Sequence, residues 1–348
     1  MLRLAIVILN WNGCDMMRRF LPTVLRCSQG DGVEVIVADN ASTDVSVNML
    51  RSEFPDVRII RLDRNYGFAE GYNRALKQVE AQYYMLLNSD VEIRQTDWLQ
   101  PMLQYLDSHA DTAACQPKLL KYPEGKEFEY AGAAGGFIDR WGYPYCRGRV
   151  LQTVETDTGQ YDETPTTDHP LTPLHWATGA ALMIRADAYW QAGGLDSRFF
   201  CHMEEIDLCW RLRIEGWKIV CVTDSTAYHL GGATLAQGNP RKTMLNFRNN
   251  RLMLYKNLPQ HDLHRVLNVR MWLDVLAAIQ FLLKGDVANM KAVREAYRQY
   301  KSMRPSYQDE RLRIQSKRKE SGVPDLVPRS ILWQYYVKGR HTYIHSTL

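Results

Sequence analysis

Three short polar stretches hold residue types that can do chemistry. Asn88-Ser89-Asp90 closes an apolar run, Glu204-Glu205 opens a helical pattern, and His229 stands just before the pair Gly231-Gly232. Carboxylates and imidazoles bind divalent cations, and a carboxylate can also accept a proton as a general base. The sequence thus holds the parts for neutralising negative charge and for removing a proton.

Asp90 follows a predicted buried strand. The apolar residues 83–87 end at Asn88, and apolar character returns at Val91. A short apolar run closed by turn residues predicts a parallel strand, and open α/β sheets bind ligands at the carboxyl ends of such strands. Asp90 would hold a hard cation against a substrate diphosphate there. The alternative is that Asn88 and Asp90 only form an Asx turn.

The acids Glu204, Glu205 and Asp207 crowd the first turn of a predicted helix that ends near Gly216. Acids at a helix start interact favourably with the helix dipole, which explains them without catalysis. The alternative is that one of them is a general base that removes a proton from an acceptor hydroxyl. Asp207 and Arg211 are four residues apart and are expected to pair, which leaves the two glutamates freer.

His229 lies beyond a predicted strand at residues 218–222. A single histidine is more often a structural group than a ligand. The glycines after it favour flexible backbone, however, and a neutral imidazole would complete a metal site that begins with Asp90.

Alternating strands and helices are predicted to position these residues. Predicted strands cover residues 3–9, 33–38, 57–62, 83–87 and 113–119, and predicted helices cover 15–27, 45–54, 69–79 and 98–109. Such β-α repeats imply a parallel sheet with right-handed crossovers, so the polar turns after the strands meet at one edge. These turns are Asn10-Trp11-Asn12-Gly13, Asp39-Asn40, Asn65-Tyr66-Gly67 and Asn88-Ser89-Asp90. They predict a polar crevice.

Neither a Gly-x-Gly-x-x-Gly fingerprint nor a Gly-x4-Gly-Lys-Ser/Thr loop follows the first strand. A nucleotide in the crevice would therefore be held by side chains and a cation rather than by a glycine-rich loop. Residues 120–170 are rich in Gly, Pro, Tyr and Thr, and they predict a long excursion with short strands that forms a substrate wall.

The composition is that of an ordinary globular protein, with 45% hydrophobic and 24% charged residues among 348. The net charge of +4 is uneven, because residues 284–320 carry +6 and the remainder −2. Basic residues concentrated in one tail do not indicate a nucleic-acid partner. Seven scattered cysteines without a Cys-x-x-Cys pair suit a reducing cytosol.

No membrane span or signal peptide is expected. The apolar residues 4–9 are too few for a signal peptide, and residues 271–283, interrupted by Asp274 and Gln280, fall short of the ~20 residues of a spanning helix.

Residues 241–256 and 261–303 predict further helices, and residues 304–348 predict a partly ordered polar tail. Arg248 and Arg251 are expected to face either a pyrophosphate or solvent. The helices of 261–303 either pack on the catalytic domain or, with their basic flank, dock on anionic lipid where a lipid-linked acceptor lies.

An ordered set of motifs resembles the family-two glycosyltransferases, most closely the rhamnosyltransferase-like enzymes of bacterial surface-polysaccharide assembly. The motifs are Val7-Ile8-Leu9-Asn10-Trp11-Asn12-Gly13, Val37-Ala38-Asp39-Asn40-Ala41-Ser42-Thr43-Asp44, Asn65-Tyr66-Gly67-Phe68-Ala69-Glu70-Gly71-Tyr72-Asn73 and Leu86-Leu87-Asn88-Ser89-Asp90, followed by Trp176–Arg185, Gly193–Arg211 and Tyr228–Gly232. The resemblance spans about residues 4–256.

The resemblance implies an α/β fold of the GT-A type: a nucleotide-binding parallel or mixed sheet flanked by helices, here with a C-terminal helical extension. It also implies a nucleotide diphosphate sugar donor, a divalent cation (Mn²⁺ or Mg²⁺) and inversion at the anomeric carbon. Asp39 would contact the nucleoside, Asp90 and His229 would bind the metal, and Glu205 would be the base. The other expected nucleotide-sugar-binding residues are Asn10, Asn12, Asn40, Asn65, Gly67, Asn73, Asn88 and Ser89. Trp176 and Gly179 would lie on the acceptor side.

Two departures from the family pattern affect the site. Asn88 occupies the first position of the Asp-x-Asp metal motif and brings no charge there. The acid pair is Glu204-Glu205 where the family often has Asp second, so the choice of base between Glu204 and Glu205 stays open.

We interpret the chain as an inverting, metal-dependent glycosyltransferase at the cytoplasmic face of a bacterial membrane, with deoxythymidine-diphosphate rhamnose as the donor expected from the resemblance. The expected organisation is a catalytic domain at 1–256 (nucleotide-sugar half 1–119, acceptor half 120–256), followed by amphipathic helices and a basic tail at 257–348. One alternative is a non-catalytic sugar-nucleotide-binding scaffold. Another is a sugar nucleotidyltransferase, which would need a glycine-rich phosphate loop where Asn10-Trp11-Asn12-Gly13 stands.

Overall fold

The computed structural model of the chain describes residues 1–166, 170–231, 238–319 and 324–347, so that Gly232 lies outside the described residues. The strands are β1 (Leu2–Asn10), β2 (Val33–Asp39), β3 (Arg58–Arg61), β4 (Ala81–Asn88), β5 (Val91–Glu92), β6 (Thr112–Lys121), β7 (Gly136–Ile138), β8 (Pro144–Cys146), β9 (Arg149–Val150), β10 (Thr153–Val154), β11 (Ala181–Arg185) and β12 (Lys218–His229). The helices are α1 (Cys14–Cys27), α2 (Ser46–Glu53), α3 (Gly67–Leu76), α4 (Leu99–Ser108), α5 (Ala186–Gln191), α6 (Glu204–Ile214), α7 (Pro240–Asn257), α8 (Gln260–Leu283), α9 (Val287–Met303), α10 (Gln308–Ser316), α11 (Ile331–Tyr336) and α12 (Tyr343–Thr347).

The main sheet has eight strands in the order β3-β2-β1-β4-β11-β6-β12-β5. Its first four strands are parallel, β11 runs antiparallel to both neighbours, and β5 runs antiparallel to β12. The sheet is therefore mixed, as the resemblance implied. Asn10 is level with Asp39 on β2, and Leu9 is level with Asn88 on β4. This register brings the polar turns after three strands to one edge of the sheet.

Both faces of the sheet are covered by helices, which explains the nearly continuous apolar strands. On β1, Leu4, Ile6 and Ile8 belong to one buried cluster, and Ala5 and Val7 belong to the other. The first cluster includes residues of α1 and α4, and the second includes residues of α3, α5 and α6.

β12, the last strand in the chain, is longer than the sequence predicted. The prediction ended at Val222, because Thr223-Asp224-Ser225 has the composition of a turn. In the structure this segment is an irregularity within β12, since the register against β6 shifts between Val222 and Thr226 and pairing then continues to His229. A bulge re-aims the strand without ending it. The consequence is that His229 reaches the turn after β4.

Residues 136–154 form a second, antiparallel sheet in the order β10-β9-β8-β7, in the excursion where short strands were predicted. The C-terminal segment returns to this sheet. The Val327 amide donates to the Ile138 carbonyl, and the Tyr343 ring packs 5.4 Å from that of Phe137. The tail at 304–348 was expected to be partly ordered, and its described residues include three helices, α10, α11 and α12, of which α11 and α12 contact the second sheet.

The C-terminal helices are joined to the catalytic half by buried charge pairs. Nε of Arg251 lies 2.8 Å from Oδ2 of Asp274 on α8. Arg248 donates to the carbonyl of Phe199 in the loop before α6. Both arginines therefore face protein partners, and the expectation that they face a pyrophosphate or solvent is corrected.

Within the described residues, one helix is long and apolar enough to cross a membrane by length and composition, and this helix is α8. The sequence argument had considered only residues 271–283. The same helix carries Arg270 and Asp274, which are buried against the rest of the protein, with their side chains 3.2 Å apart.

Candidate functional site

The turns after β1 and β2 are cross-linked by their own side chains. Nδ2 of Asn10 donates to Oδ1 of Asp39 (3.3 Å) and to Oγ of Ser42 (3.2 Å), and the second oxygen of Asp39 accepts from the Ser42 amide. Oδ1 of Asn12 accepts from the Thr43 amide at 2.7 Å. Asn10, Asn12 and Asp39 thus meet as predicted, and Asn10 and Asp39 are buried beneath the sheet edge.

The turn after β3 joins the same edge through Asn40. Its Nδ2 donates to Oδ1 of Asn65 and to the Gly67 carbonyl, and its Oδ1 accepts from the Tyr66 amide. Gly67 has a φ of 75°, and a Cβ built there would lie 2.5 Å from the Phe200 ring. Glycine at this position therefore lets the donor-side turn touch the loop that precedes α6.

Asp90 and His229 lie side by side although 139 residues separate them. The antiparallel pairing of β12 with β5 places His229 opposite Val91, and the Leu230 amide donates to the Asp90 carbonyl. Oδ1 of Asp90 is 3.1 Å from Nε2 of His229, and Nδ2 of Asn88 is 3.4 Å from the same nitrogen. The three predicted residues therefore converge on one point.

A further carboxylate faces the other edge of the histidine ring. Oε1 of Glu129 lies 3.3 Å from Nδ1 of His229, and both side chains are buried. Burial alone would lower the pKa of His229, but the charges of Glu129 and Asp90 outweigh it and raise this pKa to about 10. Burial opposes ionisation of Asp90 as well, yet its hydrogen bond to His229 and the charge of that histidine lower the pKa of Asp90.

The separation of Oδ1 of Asp90 and Nε2 of His229 matches that of two neighbouring ligands of a hexacoordinate cation, provided that Nε2 has lost its proton. Two atoms that bind one Mg²⁺ at about 2.1 Å and at a right angle are about 3.0 Å apart, close to the observed separation of Asp90 and His229. Over the described ranges no group of three or more His, Cys, Asp or Glu side chains is arranged to hold a metal. Mg²⁺ is commonly bound by one or two protein ligands together with substrate phosphates, so two protein ligands suffice beside a diphosphate.

The two glutamates at the start of α6 have different surroundings. Glu204 is buried, and its Oε2 has no hydrogen-bond partner in the described part of the chain. Burial and the neighbouring charge of Glu205 raise the pKa of Glu204 well above its usual value. Glu205 is partly exposed, and burial raises its pKa to about 7. Glu205 therefore has the accessibility and the pKa that suit a general base.

Gly179 lies against Glu205. A Cβ built on Gly179 would be 3.6 Å from Cβ of Glu205 and 3.4 Å from the Phe68 ring. The missing side chain leaves space beside the carboxylate. Trp176 is more deeply placed, because it is fully buried and its indole donates to the Phe137 carbonyl. It supports the acceptor half from inside.

A strained loop holds the two glutamates in place. Three residues of this loop have positive φ angles: Phe200 (68°), His202 (70°) and Met203 (73°). Backbone of this kind costs about 1–3 kcal/mol per residue and persists only when its surroundings hold it. Asn249 of α7 provides this support, since its Nδ2 lies 3.0 Å or less from the carbonyls of Phe199, Cys201 and His202.

Two predicted site residues lie in structural networks. The Asn73 amide is used by the Leu195 backbone and the Tyr189 hydroxyl, so Asn73 joins α3 to the segment before α6 and does not line the crevice. Asp207 is completely buried, and it pairs with Arg211, as predicted, and with Lys256 at 2.9 Å. Its position as a candidate catalytic acid is therefore corrected, because both of its oxygens bind protein groups.

Sequence reasoning did not single out Glu129 or Asn249. Glu129 lies in the irregular excursion, where no periodicity marks a buried position. Asn249 lies in the middle of a helix, where an asparagine has low propensity, and that local conflict was the available signal.

Known proteins resemble this chain in sequence and in fold. Residues 5–162 match the family model described as Glycosyl transferase family 2. An N-acetylglucosaminyl-diphospho-decaprenol L-rhamnosyltransferase of Mycobacterium tuberculosis is 27% identical over 239 residues, which cover 65% of this chain and 75% of that protein. The O-antigen biosynthesis protein RfbC of Myxococcus xanthus is 25% identical over 219 residues, or 62% of this chain and 16% of that protein.

Solved structures share the fold at low sequence identity. One is the crystal structure of GalNAc-T7 with UDP, GalNAc and Mn²⁺. The match covers 74% of this chain and 48% of the GalNAc-T7 chain, with a TM-score of 0.56 and 15% identity. Another is the mannosyltransferase PcManGT of Pyrobaculum calidifontis in complex with GDP-Man and Mn²⁺. The match covers 90% of this chain and 84% of the PcManGT chain, with a TM-score of 0.51 and 12% identity. The mixed sheet flanked by helices is the GT-A fold of these enzymes.

Gly67→Ala tests the contact between the donor-side turn and the loop before α6. It should lower the free energy of unfolding by about 1–2 kcal/mol for the left-handed conformation and by about 1–3 kcal/mol more for the collision with Phe200. Gly285→Ala is the matched control, since Gly285 has a φ of 76° with nothing within 4 Å of a built Cβ. Urea unfolding of both variants measures the difference, and equal losses would contradict the contact.

Proposed function

We propose that this chain, a glycosyltransferase with a family 2 domain at residues 5–162, transfers a sugar from a nucleotide diphosphate donor to a glycan or lipid-linked acceptor with inversion. The observation that carries the proposal is that the chain holds both a candidate cation site and a candidate general base. Asp90 and His229 converge where a diphosphate would lie, and Glu205 stands next to Gly179 with a pKa near 7.

The chemistry follows from the roles of these residues. Glu205 in its ionised form takes the proton of the acceptor hydroxyl, which makes the oxygen a better nucleophile. The oxygen forms a bond to the anomeric carbon while the bond to the diphosphate breaks on the opposite side, so that the configuration inverts. A bound divalent cation would neutralise the charge that grows on the departing diphosphate. Asp90 and His229 are the residues that would hold this cation.

The finer assignments rest on the relatives. The Mycobacterium tuberculosis relative is named as a rhamnosyltransferase that acts on a diphospho-decaprenol lipid, and both structural neighbours were crystallised with Mn²⁺. These names support a rhamnosyl donor, a lipid-linked saccharide acceptor and Mn²⁺ as the cation, while deoxythymidine diphosphate as the nucleotide and Mg²⁺ as the other candidate cation rest on the motif resemblance alone. Asn10, Asn12, Asp39, Asn40, Asn65, Gly67, Asn88 and Ser89 remain the proposed nucleotide-sugar-binding set.

Release of nucleoside diphosphate from a panel of nucleotide sugars tests the reaction. We expect metal-dependent release from one donor, abolished by EDTA and reduced at least about 100-fold in Asp90→Ala and Glu205→Gln, because each removes an interaction needed in the transition state. Glu204→Gln is the matched control and should retain activity. If no donor releases nucleoside diphosphate, the affinity of the chain for nucleotides is measured with and without Mn²⁺. An affinity that does not depend on the metal would favour the non-catalytic scaffold.

The pKa of Glu205 predicts the pH profile. Below about pH 7 the carboxyl group is protonated and cannot act as a base, so kcat at saturating Mn²⁺ should fall about tenfold per pH unit and should level off above pH 7. The residual activity of Glu205→Gln should lack this limb. A wild-type profile that breaks near pH 4.5, the usual range of a glutamate, would contradict the assignment.

We also propose that the chain docks on the cytoplasmic surface of a bacterial membrane through α8. Its exposed side carries an apolar ridge formed by Trp272, Val275, Leu276, Ile279, Leu282 and Leu283. The spacing of these residues is that of one helical face. Trp272 is 65% exposed and Leu283 is 83% exposed, so the ridge has no partner in the described protein.

Beside the ridge, α9 carries a stripe of basic residues. Their positive charge favours an anionic lipid surface as the partner of the ridge. The stripe consists of the exposed residues Lys291, Arg294, Arg298 and Lys301. α9 packs against α8 through contacts such as that of the Tyr297 hydroxyl with Met271. Buried Arg270 and Asp274 attach the inner face of α8 to the protein, and a spanning helix would expose both charges to lipid. The helix therefore suits the membrane interface.

Flotation with lipid vesicles tests this surface. Wild-type protein should bind vesicles that contain phosphatidylglycerol more strongly than pure phosphatidylcholine, and added salt should weaken binding. Leu276→Glu should abolish binding, whereas Leu312→Glu, at a 63% exposed leucine of α10, should not. Equal binding by both variants would refute the proposal. A dimer that only Leu276→Glu disrupts would assign the ridge to contact between copies.

A further inference from the structure

The environment of His229 contains one carboxylate that the proposed reaction does not use. Glu129 is buried at 5% exposure, in the excursion between β6 and β7. Burial removes a carboxylate from water, so polar or charged partners must compensate for its lost hydration. Its Oε2 accepts from the Ala131 amide at 2.7 Å, and its Oε1 lies 3.3 Å from Nδ1 of His229.

The two carboxylates at His229 occupy opposite edges of the ring. Asp90 faces Nε2, and Glu129 faces Nδ1. The lone-pair directions of these nitrogens diverge, so a cation bound by Asp90 and Nε2 lies away from Glu129. Glu129 is therefore placed to act on the histidine and not to bind the cation itself.

The backbone contacts of His229 position its Cα but do not by themselves orient its ring. The Tyr122 amide donates to the His229 carbonyl, and β5 pairs beside it. Neither contact sets the rotation of the imidazole or selects the nitrogen that carries the proton. The Glu129 carboxylate lies 3.3 Å from Nδ1 without hydrogen-bond geometry, but its negative charge favours a proton on Nδ1, so that Nε2 is the nitrogen that gives up its proton to a bound cation.

We propose that Glu129 is a positioning residue for the cation site, whose carboxylate holds the His229 ring so that Nε2 faces Asp90. The inference rests on the proposed role of Asp90 and His229 as cation ligands. Removing such an outer carboxylate typically weakens metal binding by about 10- to 100-fold.

The test measures Mn²⁺ binding to the full-length chain in saturating deoxythymidine diphosphate by the EPR signal of free Mn²⁺, without turnover and against a protein-free sample of the same composition. Glu129→Gln keeps an acceptor oxygen for the Ala131 amide but loses the charge at His229, and Glu129→Ala loses both. We expect about tenfold weaker binding in the first variant and a larger loss in the second. Glu163→Gln, which removes the ion pair with Arg147 in the same excursion, is the matched control and should leave binding unchanged.

A double-mutant cycle separates positioning from a general structural effect. In the His229→Ala background, Glu129→Gln should cause no further loss, because its effect passes through the histidine. In metal-free protein, the long-range ¹H–¹⁵N spectrum should show the His229 Nδ1 resonance shifted by Glu129→Gln and not by Glu163→Gln. A loss that persists without His229, or an unshifted resonance, overturns the inference.

The outcomes also distinguish this inference from the proposed function. If Asp90→Ala and His229→Ala abolish Mn²⁺ binding while both Glu129 variants bind as wild type does, only the positioning role is overturned. If wild-type protein binds no Mn²⁺, or binds it equally after Asp90→Ala, the cation site falls and the role of Glu129 falls with it. Nucleoside diphosphate release in EDTA then reports separately whether the transferase reaction stands.

Discussion

The pairing of β12 with its two neighbours is the constraint on which the candidate site depends. β6 carries β12 past its irregularity, and β5 pairs with its last residues, so that His229 stops beside Asp90. Without the extra length after Val222, the histidine would not reach the turn after β4. A local departure from regular strand geometry therefore brings His229 to the turn after β4, where the cation site is proposed.

The acids around α6 show how surroundings divide similar groups into different roles. Asp207 and Asp196 share the buried ammonium of Lys256, and their charges are compensated by protein cations. Glu205 is close to Asp207 in sequence but forms no ion pair with the part of the chain that the structure describes, and burial raises its pKa to about 7. Through Lys256, Asp207 and Asp196 hold α6 and the segment before it against α7. Glu205 is left able to exchange a proton. Cationic partners, more than residue type, decide this difference.

The helices after residue 257 add a second surface with a different physical character. The inner face of α8 is attached by Arg270 and Asp274, and its outer face presents a continuous apolar ridge beside the basic stripe of α9. An enzyme that takes a lipid-linked acceptor gains from such an arrangement, because docking confines the search for the acceptor to two dimensions. The proposed division at residue 256 nearly coincides with the end of α7 at Asn257, although α7 also supplies Asn249 to the loop before α6.

The sequence by itself determined the order of strands and helices in the first 119 residues except for the two-residue strand β5, because apolar runs closed by Asn, Asp and Gly mark buried strands and their turns. It also determined the residue types at the sheet edge, and register then made neighbours of Asn10, Asp39 and Asn88. Tertiary structure alone decided which acid is accessible, since Glu204 and Glu205 are identical in type and differ only in burial. It also placed Glu129 against His229 and removed Asn73 and Asp207 from the crevice. Contacts between residues a hundred or more positions apart set burial and pairing, and no local pattern records them.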